Sequence, residues 1–287
     1  MRLFNMPRSA MFGAVLAVLT GCGSTPSAPH DDQPAATRDR LEYARTIAGG
    51  AGFLPSWSPG ALPVYMQRRV QAPGQPLRVY IEGDGHTWDD PHHPSKDPTP
   101  DNPLALRLAA VDPAPNVAWL ARPCQYLMME RPGTACPDRL WRNAILSREV
   151  LEILDRALDQ LAWEARGAGL ELVGYEGGAA AAVLLAVRRT DVRRVLTVAG
   201  SLDQRDFLRH HRTKSASLSL NPMDAASGLK GLRQVHYVGG ADMVVPAAYA
   251  EAFARQVGPA AKVIMTPGAG HESGWVENWP ALLRRIH

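Results

Sequence analysis

The sequence predicts an α/β fold in which a mostly parallel central sheet is covered by helices on both faces. Three observations carry that expectation. From about Leu62 onward, short apolar segments rich in Val, Ile and Leu alternate with helical ones. One of them, Leu172-Val173-Gly174-Tyr175-Glu176-Gly177-Gly178, runs from an apolar strand through a glycine-flanked turn into an Ala-rich helix. The length, 287 residues, is ample for one such domain with a sizeable core.

Residues 1–21 read as an export signal. Arg2 and Arg8 supply a positive start, and Met11 to Leu19 form an apolar run with no charge, too short to remain as a membrane span. The run ends in Leu19-Thr20-Gly21-Cys22, which resembles a bacterial lipobox, where cleavage precedes a cysteine that carries lipid. Cys22 is therefore expected to be the lipidated residue, bearing palmitate. Gly23 follows it in place of an aspartate, and in resembling lipoproteins that points to the outer membrane, with the domain facing the periplasm. Residues 22–37 are rich in Pro, Ser, Ala and Asp without apolar periodicity, as expected of a disordered tether. The domain proper is residues 38–287.

Its elements follow in order. Leu41, Ala44, Ile47 and Ala48 keep helical spacing up to Gly49-Gly50. Leu62 to Val70, the Ala72-Pro73-Gly74 turn and Leu77 to Ile81 read as a hairpin entering the sheet. Asn116 to Leu120 is the next buried strand. Ser147 caps a helix whose Val150, Leu154, Ala157, Leu158 and Leu161 recur on one face. Leu170 to Gly174, Val192 to Val198, Leu232 to Val238 and Lys262 to Met265 are further strands. Helices are expected over Ala179 to Arg189, Pro246 to Val257 and Glu277 to His287. Arg188-Arg189 and Arg193-Arg194 look like solvated positions flanking a helix-to-strand turn.

Composition narrows the function classes. The net charge is +3, and removing Arg2 and Arg8 with the signal leaves the chain close to neutral. No basic run with interleaved aromatics suggests a nucleic-acid partner. Besides Cys22 only Cys124 and Cys136 occur, close in sequence and each next to a proline. In an oxidising periplasm such a pair reads as a disulfide. His92-His93, with Asp89 and Asp90, lie in a Pro-rich loop without ligand spacing and are read as solvated or substrate-facing rather than as a metal site. His210-His211 read as surface. His86 and Trp88 flank the loop at Glu82-Gly83-Asp84-Gly85 and are candidates to shape a pocket. No cofactor motif is present, since Gly83-Asp84-Gly85 lacks the Lys-Ser/Thr of a phosphate loop.

The chemistry-bearing residues follow three of the strands. Gly174-Tyr175-Glu176-Gly177-Gly178 has the layout of a nucleophile elbow, G-x-S-x-G, where small residues are required because the tight turn brings backbone segments together. The tip is Glu176, not serine. Asp242, in Gly239-Gly240-Ala241-Asp242, stands at a strand's C-terminal end as a candidate acid, and Asp203 is the alternative. His271, in Gly268-Ala269-Gly270-His271-Glu272, follows the last strand as candidate base. Elbow, acid and histidine come in the chain order of one hydrolase architecture. With Val79-Tyr80-Ile81-Glu82-Gly83-Asp84-Gly85 and Ala121-Arg122-Pro123-Cys124-Gln125-Tyr126, these motifs make the chain resemble the α/β-hydrolase superfamily. Within it, the likeness is to a group of bacterial envelope proteins with a GYSGG elbow, and it runs from about Leu77 to the C-terminus. The resemblance implies an oxyanion hole formed by the backbone amides of Asp84 and Gly177.

Glu176 divides the functional reading. A carboxylate nucleophile, as Asp is in dehalogenases and epoxide hydrolases, is one possibility. Glutamate is a methylene longer, however, and Gly177 replaces the Trp that dehalogenases place next. Loss of catalysis with retention of the fold is the second and preferred reading: Glu176 pairs with His271 and its other oxygen fills the oxyanion hole. Such a protein still binds a small ester-like or acyl ligand. Water activated directly by His271, or attack by Ser201 or Ser273, is the third.

Overall fold

The computed structural model describes residues 40–90, 93–131, 133–210 and 218–286. The expected signal, Cys22 and the tether lie outside the described residues, as do His92, His211 and His287. Among the described residues no helix is long and apolar enough to cross a membrane.

Among the described residues ten strands form two sheets. They are β1 (Leu54–Trp57), β2 (Tyr65–Val70), β3 (Leu77–Ile81), β4 (Trp88–Asp90), β5 (His93–Pro94), β6 (Asn116–Leu120), β7 (Leu170–Tyr175), β8 (Val192–Val198), β9 (Arg233–Gly239) and β10 (Ala261–Thr266). Eight of them make the central sheet, in the order β1-β2-β6-β3-β7-β8-β9-β10, and β4 pairs only with β5. From β6 to β10 every pairing is parallel; β1 and β2 are antiparallel additions at one edge. The predicted α/β class with a mostly parallel sheet is observed.

One expectation about topology fails. Leu62 to Val70 and Leu77 to Ile81 do not form a hairpin, because β6 inserts between β2 and β3 and pairs with both. The intervening turn is real, with Gln75 N–H donating to Ala72 O at 3.1 Å and Gly74 at φ 92°. It sends the chain over β6 rather than back along β2. The partner of both strands comes from about forty residues later, and no short-range signal announces it.

Ten α-helices accompany the strands among the described residues. They are α1 (Arg40–Gly50), α2 (Leu104–Ala110), α3 (Leu127–Glu130), α4 (Arg139–Arg142), α5 (Arg148–Glu164), α6 (Gly177–Ala186), α7 (Gln204–His210), α8 (Pro222–Ala225), α9 (Ala247–Val257) and α10 (Trp279–Leu283). Ser147 caps α5 as expected, its hydroxyl accepting from Val150 N–H at 3.3 Å. That helix buries Val150, Leu154, Ala157, Leu158 and Leu161. Helix α6 is buried on every side, which is why its Ala-rich sequence carries no polar face. The last helix is shorter than the expected Glu277 to His287.

Two aromatic clusters fix the sheet's flanks. Tyr65, Trp119 and Tyr126 pack edge to face or tilted, with ring centres 5.5–6.1 Å apart. Farther along the same face Trp279 sits between Tyr80 and Tyr237, donating from Nε1 to the Tyr80 hydroxyl at 2.7 Å. Tyr80 in turn donates to Asp112 at 2.6 Å, so the Trp279, Tyr80 and Asp112 polar groups are paired.

Of the paired arginines, Arg188 and Arg193 are exposed as the sequence suggests, whereas Arg189 and Arg194 are not solvated positions. Arg189 is nearly buried and binds Asp155, Asp159 and Asp191, while Arg194 is mostly covered and faces Glu171.

The expected Cys124–Cys136 disulfide is present, with Cα atoms 5.8 Å apart. It closes the loop that contains Tyr126 and α3. Replacing both cysteines by serine is expected to cost about 3 kcal/mol of unfolding free energy, the loop-closure entropy of a span this short. Urea unfolding of the oxidised and substituted proteins measures it, and equal midpoints would contradict it.

Candidate active site

The C-terminal ends of β3, β7, β9 and β10 converge at one edge of the sheet, where open α/β sheets present their loops to ligands. They carry, respectively, the Glu82–Gly85 loop, the elbow, Asp242 and His271.

Glu176 occupies the elbow tip with φ 51° and ψ −118°, a strained backbone for a residue with a Cβ. Three backbone bonds hold it there: Glu176 N–H to Val198 O at 3.1 Å, and Ala179 and Ser201 N–H to Glu176 O at 3.1 and 3.3 Å. Small neighbours are obligatory. A Cβ on Gly174 would strike the backbone of Gly178 and Ala179, and one on Gly178 the carbonyl oxygens of Ile81 and Glu82.

The side chains expected from the sequence do come together. His271 Nδ1 lies 3.1 Å from Asp242 Oδ2, and its Nε2 faces Glu176 Oε1 at 3.8 Å, an ion pair longer than a formed hydrogen bond. Asp242 is fully covered, and its Oδ1 accepts Val244 and Val245 N–H at 2.8 and 2.9 Å. The other oxygen of Glu176, Oε2, accepts the Asp84 amide at 3.1 Å. The carboxylate thus stands where the resemblance places an oxyanion. The Gly177 amide, the second expected donor, begins α6 directly after the tip and makes no hydrogen bond to it. Gly177 must be glycine for another reason: a Cβ there would overlap the Asp84 carboxylate.

Charge settles around this pair. Burial alone would raise the Glu176 carboxyl, but the facing His271, the Asp84 amide and Arg122 outweigh it and hold the group below its usual value. Burial likewise opposes the His271 imidazolium, yet Asp242 and Glu176 together push it up to about 10. Asp242 is held down: burial would raise it, and His271 with the Val245 and Val244 amides prevails. The site at neutral pH is carboxylate, imidazolium, carboxylate.

Two supports behind the oxyanion loop carry no assigned role in the sequence reading. Glu82 is 1% exposed and accepts from Gly83, Ala105 and Leu106 amides and from Trp119 Nε1, at 2.9–3.3 Å. Helix α2 has no side-chain cap of its own, so Glu82 caps it from another strand. Burial nevertheless pushes this carboxyl up to about 7. Arg122 donates to Asp84 Oδ1 at 3.0 Å and to Ile145 O, while Gln125 Nε2 bonds Gly83 O at 3.0 Å. The Arg122–Tyr126 motif is therefore a brace for the loop. Burial raises Asp84 to about 6 against the pull of Arg122, with Glu176 adding to the rise.

The remaining candidates take other places. Asp203 accepts Arg205 and Asp206 N–H and caps α7, so Asp242, not Asp203, faces the histidine. Ser201 is buried with its hydroxyl bound by Gln204, and Ser273 is exposed in the loop after His271. His93 on β5 pairs with Asp90 on β4, and Trp88 lies against Arg142. His86 lines the cleft above the site, a hollow of about 300 Å³ that Glu176, His271, Tyr175, Glu272 and Asp101 also border.

No protein-family model matches the chain, and no curated protein matches it. Solved structures do. A bacterial membrane phospholipase A described as a virulence factor superposes with a TM-score of 0.57 at 14% identity, covering 87% of this chain and 91% of that one. Est1E from Butyrivibrio proteoclasticus gives 0.58 at 10% identity, over 81% of this chain and 98% of its own. An alpha-beta serine hydrolase homologue from Coxiella burnetii gives 0.55 at 16%, over 81% and 95%. At such identities the likeness establishes the architecture: the chain has the α/β-hydrolase fold.

Proposed function

We propose that this chain is an envelope lipoprotein with an ester-hydrolase site closed by its own Glu176, so that it binds an ester-like or acyl ligand without turning it over. The observation that carries this is the double contact of Glu176, with Oε2 on the Asp84 amide and Oε1 toward His271. An acyl carbon needs a nucleophile beside a neutral imidazole and an empty oxyanion hole. Here the hole has an occupant and the imidazole carries a proton. The same contacts argue against Glu176 as a carboxylate nucleophile, since its nearer oxygen is turned into the hole rather than toward a substrate carbon.

The test is turnover by the chain as it stands. With p-nitrophenyl acetate and butyrate, rates are expected to match buffer, and a fluorophosphonate probe is expected to leave residue 176 unlabelled. An acyl adduct trapped on Glu176 by rapid quenching would replace this reading with the carboxylate-nucleophile one.

We infer the anchoring from Leu19-Thr20-Gly21-Cys22, and the glycine after the cysteine supports an outer-membrane position facing the periplasm. Cys22→Ser is expected to abolish palmitate labelling and membrane fractionation in a bacterial host. Membrane association without label in both forms would remove the lipoprotein part of the proposal and leave the site untouched.

A further inference from the structure

The opposite edge of the sheet carries a second hollow, of about 350 Å³, whose rim is basic. It lies at the N-terminal ends of β8, β9 and β10, whereas the elbow, Asp242 and His271 follow the C-terminal ends of strands.

Strand register places the charges. Arg194 on β8 is paired with Arg233 on β9, and Lys262 on β10 is paired with Val235. Paired residues share a face, and so do residues two apart along a strand, so Arg194, Arg233 and Lys262 stand on one face. Tyr237, on the same face of β9, packs against Trp279 and donates to Leu282 O at 2.9 Å, which identifies the face that α10 covers. Arg285, just past the end of α10, completes the rim.

Among the described residues these cations are not balanced. Arg194 faces Glu171 at 3.5 Å, but Glu171 is shared with Arg78 at 2.8 Å. Asp112, the next acid along, is occupied by Arg78 and Tyr80. Among the described residues Arg233, Lys262 and Arg285 form no ion pair, and all three are exposed. Arginines directly opposite on strands about 4.8 Å apart repel each other. Three uncompensated cations around one concavity weaken the fold unless an anion enters it. Guanidinium forks match the oxygens of a phosphoryl group in pairs, and an ammonium adds a point charge.

We propose that this hollow binds a phosphate-bearing anion, held by Arg233, Lys262 and Arg285 with Arg194 behind them. The phosphoryl group comes either from a soluble phosphate ester or from a phospholipid headgroup, and one set of measurements separates the two. Calorimetry of the full chain with pyrophosphate is expected to show a single saturable site. Its affinity falls roughly tenfold or more in the Arg233→Gln/Arg285→Gln double variant, as charge-assisted bonds are lost. In phosphate-free buffer the double variant melts at or above the parent's temperature, because a repulsion is gone. Pyrophosphate raises the melting temperature of the parent and leaves that of the variant in place. Vesicles of phosphatidylglycerol then identify the source. Sedimentation that is reduced in the variant and competed by pyrophosphate assigns the site to a headgroup; saturable pyrophosphate binding without that effect assigns it to a soluble ligand. Absence of saturable pyrophosphate binding, or binding unchanged in the double variant, overturns the proposal.

Discussion

Glu176→Ser is expected to turn a chain with background ester turnover into a serine esterase, with a gain on the order of 10³-fold or more. General base catalysis and one oxyanion donor each contribute about 10²-fold or more. The variant supplies both together because one side chain now blocks both. Removing the carboxylate frees the Asp84 amide, which it occupies at 3.1 Å, and takes away one of the two charges that keep His271 protonated. The elbow itself should persist, since the bonds to Val198, Ala179 and Ser201 are made by the backbone of residue 176 and not by its side chain. Serine also carries a Cβ, so the strain at φ 51° is unchanged. The gain is read as p-nitrophenyl ester hydrolysis together with fluorophosphonate labelling at 176. Adding His271→Ala should return turnover to background while the protein stays folded. A folded serine variant with neither turnover nor label would mean that more than one residue separates this site from catalysis.

Much of the site was legible because its chemistry is local in sequence. The elbow glycines, the strand-end Asp242 and the glycine-rich loop at His271 each sit within a few residues of a strong apolar strand, and their order along the chain is diagnostic. The occupied oxyanion hole also followed from reach: a glutamate at the tip of an elbow has two oxygens and two neighbours to satisfy. The position of β6 was not legible, since strand pairing forty residues apart leaves no periodic trace. Helix α2 was missed for a different reason. Leu104 to Ala109 are all buried, so no polar face marks the helix, and its N-terminus is capped by Glu82 from β3's end and not by a neighbour. The same distance hid the roles of Arg122 and Gln125. A braced loop and the residues that brace it are brought together only by the finished sheet.

His271 is expected to titrate near pH 10, and stability is expected to fall across the alkaline range for that reason. Burial disfavours the imidazolium, but Asp242 at 3.1 Å and Glu176 at 3.8 Å outweigh it. Tyr175, whose ring centre is 5.5 Å away, adds no charge because burial raises its hydroxyl well above the usual value. In the unfolded chain the histidine returns to about 6.5. A folded value raised above the unfolded one gives stability that is fully present below about pH 6.5 and lost as pH rises through about 10. Glu176 and Asp242 act in the opposite sense, being held below their ordinary values: their contribution is present above about pH 4 and lost as pH falls further. Glu82 and Asp84, raised by burial to about 7 and about 6, add to the loss as pH rises through those values. The unfolding free energy should therefore be highest at about pH 4–5 and decline by several kcal/mol toward pH 10. Urea unfolding over a pH series measures the decline, and imidazole carbon shifts locate the titration. Glu176→Ser should bring the histidine down and flatten the alkaline slope, and His271→Gln should remove that part of it. A histidine that titrates near 6.5 in the unmodified chain would break the argument at its base, because a neutral imidazole beside Asp242 would then be free to accept a proton from water.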